Sequence, residues 1–293
     1  KAEVMEETSE ILYRSIYMDR IIPYMDQNII KILVGQRRVG KSYILKSIAQ
    51  EAMRRNPDAN FVTINLEDFA FSHITSAKIL HDEIISRLAD NRKNYIFLDE
   101  VQEVKGFDKV VRSLILDSRN DVYITGSNSD MLSAEIASRV AGRSIQFHIH
   151  PLTYREFLEF HLLTDSDSSL ATYLQYGGLP YLIHLPEQST WAEYLAGITD
   201  AVVYRDVVAR HALRNTDFLQ RLLLFLSDNI GQIFNAKRIS DFLKSQKVSA
   251  SVTGVQSYLE YIKDAYIVNR IRRWDIEGKR YFEFGEKVFF EDL

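Results

Sequence analysis

A glycine-rich segment that joins a short apolar run to a helical run is the feature that most constrains the fold of this chain. Residues 35–42 match the phosphate-loop pattern G-x-x-x-x-G-K-[ST] in full, with the sequence Gly-Gln-Arg-Arg-Val-Gly-Lys-Ser. The mostly apolar run 30–34 ends directly on Gly35, and residues 42–49 continue with the periodicity of an amphipathic helix. In this order of strand, loop and helix, glycines let successive backbone N–H groups point into one concavity, where an anion binds. The segment therefore predicts a nucleotide-binding α/β domain.

The positions of this loop have expected roles. The Lys41 ammonium is expected to contact the β- and γ-phosphates of ATP, and the Ser42 hydroxyl to be a ligand of Mg²⁺. Arg37 and Arg38 occupy variable positions, and we expect them in solvent or bridging to an interface, because backbone N–H groups supply most of the phosphate contact. The alternative interpretation is a strand-to-helix turn in which Lys-Ser is accidental. The predicted nucleotide-binding residues of the loop are Gly35, Gln36, Arg37, Arg38, Val39, Gly40, Lys41, Ser42 and Tyr43.

A second motif follows about 60 residues after the loop. The apolar run 95–98 ends in two carboxylates, Asp99 and Glu100. Asp99, at the end of a strand, is expected to hold Mg²⁺ through water, and Glu100 to polarise the water that attacks the γ-phosphate. Hydrolysis, as distinct from binding, depends in this interpretation on Glu100.

The composition excludes several classes of protein. No apolar run approaches the roughly 18 residues of a membrane span, and no secretory signal is visible. The absence of cysteine excludes disulfides and thiolate metal sites and fits a reducing interior. The net charge of −4 argues against a general nucleic-acid coat, and no histidine spacing indicates a transition metal. We expect a cytoplasmic protein without membrane contact and, from 293 residues, two or three domains.

Short β-rich runs alternate with helical stretches between residues 31 and 149. This alternation predicts a parallel sheet with crossover helices. Ligands bind such sheets at the carboxyl ends of the strands, where the glycine loop and Asp99 both lie. The predicted strands are 31–35, 61–66, 95–99, 121–126 and 145–149, and the predicted helices between them are 41–54, 75–90, 105–118 and 130–138.

The pattern becomes helical after Pro151, and from residue 216 it looks like a winged helix-turn-helix. The wing is predicted as two strands, 266–274 and 280–284, and residues 287–293 are expected to begin a further, truncated domain. The predicted helices of this part are 153–163, 169–176, 180–186, 190–211, 217–228, 237–245 and 252–263. The predicted division is a P-loop core with an N-terminal helix at 1–150, a helical lid at 151–215, a winged helix at 216–286 and the start of a further domain at 287–293.

Together these segments resemble a family of prokaryotic AAA+-type ATPases that are relatives of the STAND-type signalling ATPases. In that family an ATPase core and a winged helix precede a C-terminal nuclease-like domain of unknown function. The similarity runs from about residue 15 to the end of the chain. Its more specific part is the pair Ala-Gly-Arg at 141–143 and Pro-Leu-Thr-Tyr-Arg-Glu-Phe at 151–157. The segments that carry the resemblance are 34–42, 96–102, 124–128, 139–143, 151–157 and 176–180.

The resemblance implies roles for residues outside the two motifs. Asn128, with Ser127 as second choice, corresponds to the polar sensor that orients the attacking water, unless it only ends a strand in a turn. Arg139 and Arg143 are candidates for the arginine finger that neutralises transition-state charge, in cis or on a neighbouring subunit. The alternative is that these arginines only complement a helix dipole. Pro180 corresponds to a lid proline that lies against the adenine, unless its Gly-Gly-Leu-Pro segment only breaks a helix.

The expected function is an AAA+-type ATPase that hydrolyses ATP with Mg²⁺ to rearrange the lid and the winged helix. One alternative is a non-hydrolysing switch that responds to ATP/ADP exchange, and another is a DNA-binding regulator with secondary ATPase activity. An arginine finger in trans requires a homo-oligomer. Only weak DNA contact is expected, because the recognition helix 252–264 carries Glu260 and Asp264 beside Lys263, although the wing is more basic.

Overall fold

Five strands of the N-terminal half form one parallel sheet. The computed structural model of the chain describes residues 13–127, 142–272 and 285–292. Its first five strands are β1 Ile30–Val34, β2 Asn60–Asn65, β3 Asn94–Asp99, β4 Asn120–Gly126 and β5 Ser144–His148. They lie in the order β2-β3-β4-β1-β5, and every neighbouring pair runs parallel. The mixed α/β fold with a parallel sheet that the sequence predicts is therefore confirmed.

The strands in the middle of the sheet are buried along their whole length. All residues of β1, β3 and β4 are buried, whereas the edge strand β2 is buried only at Val62 and Ile64. Central strands of a parallel sheet are covered on both faces, so they read as continuous apolar runs, which are simple to recognise in a sequence. The predicted bounds of all five strands agree with the observed bounds to within one residue.

The chain divides into two compact units, residues 1–163 and 164–293. In the first unit two helices begin at identifiable capping signals. Ser76 accepts a hydrogen bond at the N-terminus of one helix, and Thr153 and Glu156 form a reciprocal capping box at another. The helices of this unit are α1 Ser15–Ile21, α2 Lys41–Arg55, α3 Ala77–Arg87, α4 Phe107–Leu114 and α5 Tyr154–Phe160.

The second unit combines helices with a two-stranded antiparallel sheet. Its apolar core lies between its last three helices and this sheet, with Leu222, Ile239, Leu259 and Val288 among the buried side chains. The helices are α6 Asp167–Tyr176, α7 Trp191–Val202, α8 Thr216–Asp228, α9 Ala236–Ser245 and α10 Val252–Asp264. The strands are β6 Val268–Arg272 and β7 Glu286–Phe290.

Several elements differ from the sequence prediction. The predicted helix 190–211 becomes a wider π-helical turn from Val203 to Ala209, and segment 180–186 is a 3-10 helix that starts at Pro180. The sequence predicts the start of a further domain at 287–293, whereas residues 286–290 form β7 and pair with β6. The side chain of Val288 is buried in the core of the second unit, and the backbone of Glu286 bonds to Phe234, which explains this pairing. The predicted helix 130–138 and strand 280–284 lie outside the described residues.

The helices of the described segments are short. In these segments no helix combines the length and the apolar character that crossing a lipid bilayer requires.

Candidate nucleotide-binding site

Three groups of polar residues meet at one edge of the parallel sheet. The phosphate loop follows β1, and Asp99 and Glu100 stand at the end of β3. Strand β4 lies between these two strands, and it brings Thr125 and Ser127 to the same edge. Parallel strands end at a common edge, so the sheet order alone places the two sequence motifs together.

The backbone of the phosphate loop has a conformation that requires glycine at two positions. Gly35 has a φ of +149°, and a Cβ atom there would lie 2.1 Å from the carbonyl oxygen of Ile149. Gly40 is left-handed, with a φ of 96°, directly before the first turn of α2. The first N–H groups of a helix have no acceptor within that helix, so the start of α2 is where the sequence prediction expects the anion.

The Lys41 side chain is buried within this loop. Its ammonium donates hydrogen bonds to the carbonyl oxygens of Gly35 at 3.1 Å and Gln36 at 3.0 Å. It also lies 3.7 Å from Oε1 of Glu100. Lys41 therefore joins the phosphate loop electrostatically to the end of β3.

Glu100 is held on several sides. It has a left-handed backbone with a φ of 55°, and its N–H donates to the Thr125 hydroxyl at 3.0 Å. The Ser127 hydroxyl donates to Oε2 of Glu100 at 2.9 Å, and the Gln102 amide donates to the same oxygen. A left-handed conformation at a non-glycine residue persists only where surrounding contacts fix it, and these contacts do so.

The Glu100 carboxylate is ionised at neutral pH. Burial acts to raise its pKa, but Lys41, Gln102, Arg37 and Ser127 together outweigh burial and lower the pKa below the ordinary value. An ionised carboxylate accepts a proton, which is the role that the sequence predicts for this residue.

Asp99 and Ser42 supply oxygen atoms at the same edge. The Thr125 hydroxyl donates to Oδ1 of Asp99, and the Ser42 hydroxyl also bonds to this carboxylate. Burial raises the pKa of Asp99 despite both hydrogen bonds. A cation beside Asp99 would offset this desolvation, and hard oxygen donors of this kind fit Mg²⁺. The buried Oε1 atoms of Gln36 and Gln102, which have no hydrogen-bond partner in the described structure, leave acceptors for a ligand or its water.

The sequence motifs indicate no role for two residues of the site, Thr125 and Gln102. Thr125 bonds to both Asp99 and Glu100, and Gln102 bonds to Glu100 and to Ser127 at 3.3 Å. Their position in the sequence could identify them, because each is a polar residue at or just beyond the carboxyl end of a buried strand. Which carboxylates Thr125 contacts depends on the register of β3 against β4.

The remaining loop residues have different environments. The Arg37 guanidinium bonds to Glu67 at 2.7 Å and to the Ser127 hydroxyl at 3.4 Å, so it bridges the loop to the segment after β2. Arg38 is exposed with a φ of 73°, Tyr43 is 45% exposed, and Val39 is fully buried.

Other predicted site residues are not brought to this edge. Arg143 is exposed and directly precedes β5, so it lies where the strands begin, about 20 Å along the strands from Gly35. Asn128 and Arg139 lie outside the described residues. Pro180 belongs to the second unit, where it begins a 3-10 helix just after Gly178, whose N–H donates to Asp292 at 2.8 Å.

Known proteins are similar to this chain over nearly its whole length. An uncharacterized protein of Haemophilus influenzae is 31% identical over 96% of this chain, which spans 72% of that protein. A second relative, the uncharacterized protein MJ1544 of Methanocaldococcus jannaschii, is 32% identical over 94% of this chain, which spans 64% of its length. Among solved structures, the RuvB Holliday junction branch migration motor of Thermotoga maritima is 14% identical with a TM-score of 0.44, covering 94% of this chain and 90% of that one.

Sequence profiles of two domain families match successive parts of the chain. The family described as AAA domain matches residues 27–158, which contain the sheet and both motifs. A domain of unknown function (DUF8612) matches residues 167–293. The chain therefore belongs to one family with the Haemophilus influenzae protein, and its AAA domain places it among the AAA+ P-loop ATPases.

Proposed function

We propose that this chain binds Mg-ATP at the phosphate loop and hydrolyses it. The observation that carries the proposal is the assembly of Lys41, Ser42, Asp99 and Glu100 at one sheet edge, through the contacts given above. A lysine, two oxygen donors and an ionised carboxylate are the groups that phosphoryl transfer to water requires.

Each group has a distinct task in this mechanism. The N–H groups of the loop and the Lys41 ammonium bind the phosphates, and Ser42 and Asp99 would hold Mg²⁺, which neutralises charge on the phosphate oxygens. Glu100 orients the attacking water and accepts its proton. Thr125 and Ser127 fix the two carboxylates relative to each other.

Lys41 has to exchange partners when phosphate binds. Its ammonium is shared between two loop carbonyls and Glu100. Phosphate oxygens carry more negative charge than carbonyl oxygens and therefore compete for the ammonium. Binding would in this way loosen the hold of Lys41 on Glu100 and make that carboxylate more basic.

The test compares two variants with a matched control. Lys41→Ala is expected to abolish binding of Mg-ATP in calorimetric titration. Glu100→Gln is expected to keep binding but to release phosphate at least about 10²-fold more slowly. Lys109→Ala, an exposed lysine on α4, serves as the control and should behave as wild type.

The alternatives separate in the same experiment. Unchanged affinity in Lys41→Ala contradicts nucleotide binding at this loop. If wild-type protein binds Mg-ATP but releases no phosphate in the steady state, the non-hydrolysing switch is the correct alternative. Wild-type turnover in Glu100→Gln assigns the proton acceptor to another residue.

A lid and a winged helix are also part of the proposal. Helices α8, α9 and α10, followed by the antiparallel strand pair β6–β7, have the element order of a winged helix-turn-helix. We assign residues 151–215, which begin in the first unit, to the lid and 216–286 to the winged helix, whose last strand β7 extends to Phe290. Pro180 is the candidate adenine contact. Turnover at the phosphate loop would rearrange these parts.

Charge pairing on α10 and β6 reduces the attraction of these two elements to DNA. The Arg270 guanidinium bonds to Glu286 at 2.9 Å and also to Glu260, which in turn accepts a hydrogen bond from Lys263 at 2.9 Å. Two basic groups on α10 and β6 are thus neutralised by neighbouring carboxylates and offer little attraction to a phosphate backbone. These contacts favour a role in protein packing.

A further inference from the structure

Arg14 is a buried arginine that no sequence motif marks. It directly precedes α1 and is 4% exposed. Its guanidinium makes five hydrogen bonds to four residues, all within the first unit. A buried arginine with so many fixed partners holds those partners in one arrangement.

Its carbonyl partners belong to two separate segments. One terminal nitrogen donates to the Val39 carbonyl in the phosphate loop at 3.1 Å and to the His150 carbonyl at 3.0 Å. The other terminal nitrogen donates to the Pro151 carbonyl at 3.3 Å. Arg14 therefore ties the phosphate loop to the segment that follows β5.

A carboxylate and an aromatic ring fix the orientation of this guanidinium. Glu156 accepts from it in bidentate form at 2.8 and 3.0 Å, and also accepts from the Thr153 N–H at 3.0 Å. The Tyr17 ring lies 4.6 Å from the guanidinium carbon, and its hydroxyl accepts from the His150 N–H at 2.9 Å. The motif at 151–157 therefore orients Arg14: Glu156 accepts its hydrogen bonds, and Thr153 holds Glu156 in place.

The contact to Val39 determines the direction of one N–H group of the loop. In a planar trans peptide the C=O and the following N–H point in opposite directions. Arg14 draws the Val39 carbonyl towards itself, so the Gly40 N–H points away from Arg14. Gly40 is also left-handed, a conformation whose freedom makes an external restraint on this peptide effective.

We propose that Arg14 is a positioning residue for nucleotide binding, which presets the Val39–Gly40 peptide of the phosphate loop and joins the loop to the segment 150–156. This inference rests on the proposed function. The Glu100 carboxylate is held by Lys41, Gln102 and Ser127, and Arg14 contacts none of these residues. Loss of Arg14 is therefore expected to weaken nucleotide affinity while turnover at saturation stays close to wild type.

The test uses Arg14→Lys with Arg155→Lys as the matched control. Lysine keeps a charge beside Glu156 but lacks the planar fork that reaches several carbonyls at once. Arg155 lies on α5, is exposed and pairs only at the surface with Glu159 at 3.2 Å. Arg14→Ala is avoided, because it leaves the buried Glu156 carboxylate without its cation.

Two measurements are made on each full chain. The first is the affinity for a non-hydrolysable Mg-ATP analogue together with KM and kcat for ATP. We expect about tenfold weaker binding and higher KM for Arg14→Lys, with kcat near wild type and Arg155→Lys unchanged. The second is hydrogen–deuterium exchange of the nucleotide-free protein, where faster exchange at residues 36–42 is expected for Arg14→Lys.

The outcomes separate this inference from the proposed function. Affinity and exchange at wild-type level in Arg14→Lys overturn the role of Arg14. A fall in kcat with unchanged affinity overturns it too, since Arg14 would then act on the chemical step. If wild-type protein fails to bind the analogue, the proposed function fails, and the exchange at residues 36–42 alone decides whether Arg14 holds the loop.

Discussion

Gly35 shows at the scale of one residue how closely the phosphate loop approaches its neighbours. A side chain there would meet the Ile149 carbonyl at 2.1 Å, and the backbone φ of +149° is one that other residues rarely adopt. The loop passes over the end of β5 with no space for a Cβ atom. The glycine in the first position of the motif is thus required by the packing of the loop as well as by the approach of a phosphate.

We predict that Gly35→Ala both weakens nucleotide binding and lowers the free energy of unfolding by more than about 1 kcal/mol. Gly197→Ala is the control, because Gly197 lies on α7 with open space around it. That exchange should instead stabilise the helix by about 0.5–1 kcal/mol. Urea unfolding and calorimetric titration measure the two effects. Equal stability of the two variants would contradict the packing argument.

At the scale of elements, a buried ion pair joins β1 to β4 near the amino ends of these strands, away from the phosphate loop. The Lys31 ammonium bonds to Asp121 and donates to the Gln27 carbonyl at 2.7 Å. The other Asp121 oxygen accepts from the Asp26 N–H at 2.8 Å and the Tyr123 hydroxyl at 2.9 Å. Both charged side chains are fully buried, so removing one partner leaves an uncompensated charge.

We predict that Lys31→Met lowers the free energy of unfolding by about 3–5 kcal/mol. Adding Asp121→Asn should recover part of this loss, since asparagine removes the unpaired charge and keeps an acceptor for the Asp26 N–H. Urea unfolding of the single and double variants gives both values. A loss from Lys31→Met as small as that expected at a surface site, within about 0.5 kcal/mol, would show that the pair does not hold the sheet.

A pH effect is expected at the junction of α5 with the phosphate loop. Burial acts to raise the pKa of Glu156, but hydrogen bonds from Arg14 and Thr153 outweigh it and lower the pKa below the ordinary value. The carboxylate therefore contributes stability above its unfolded pKa, and this contribution is lost as pH falls through the lower folded pKa. Unfolding free energy measured between neutral pH and about pH 3 should fall less steeply in Glu156→Gln than in wild type. Parallel curves would contradict the assignment.

At the scale of the whole molecule, the position of Arg143 has a consequence for assembly. It lies at the amino ends of the strands, whereas the phosphate loop of the same chain lies at their carboxyl ends. An arginine finger at this position can serve only the site of a neighbouring copy. The chain would then be complete as an enzyme only when subunits associate.

We predict that turnover per subunit rises with protein concentration through the range in which subunits associate. Arg143→Ala should bind Mg-ATP normally and lose turnover by about 10³–10⁵-fold. Mixing it with Glu100→Gln subunits should partly restore activity, because these donate an intact Arg143. Turnover independent of concentration together with a fully active Arg143→Ala would make the residue a structural one.

Much of the candidate site follows from local sequence, and the rest depends on contacts between distant residues. The loop around Lys41 and the pair Asp99 and Glu100 are visible because each directly follows a buried apolar strand. The Thr125 hydroxyl contacts both carboxylates only because β3 and β4 pair in one register. Arg14 and Glu156 are 142 residues apart, and no periodicity in the sequence predicts a buried ion pair between residues so far apart.

The hydrogen bond between the Gly178 N–H and Asp292 spans 114 residues, and it has a consequence for the order of events during synthesis. The strands and phosphate loop of the first unit all lie before residue 163, whereas the second unit needs β7 and Asp292 to complete its sheet and fix its Gly-Gly segment. Domains fold as units, N-terminal first, as the chain emerges from the ribosome. We therefore expect the phosphate loop to form on a nascent chain while the second unit is still incomplete, so the proposed nucleotide would reach the first unit before the second has folded.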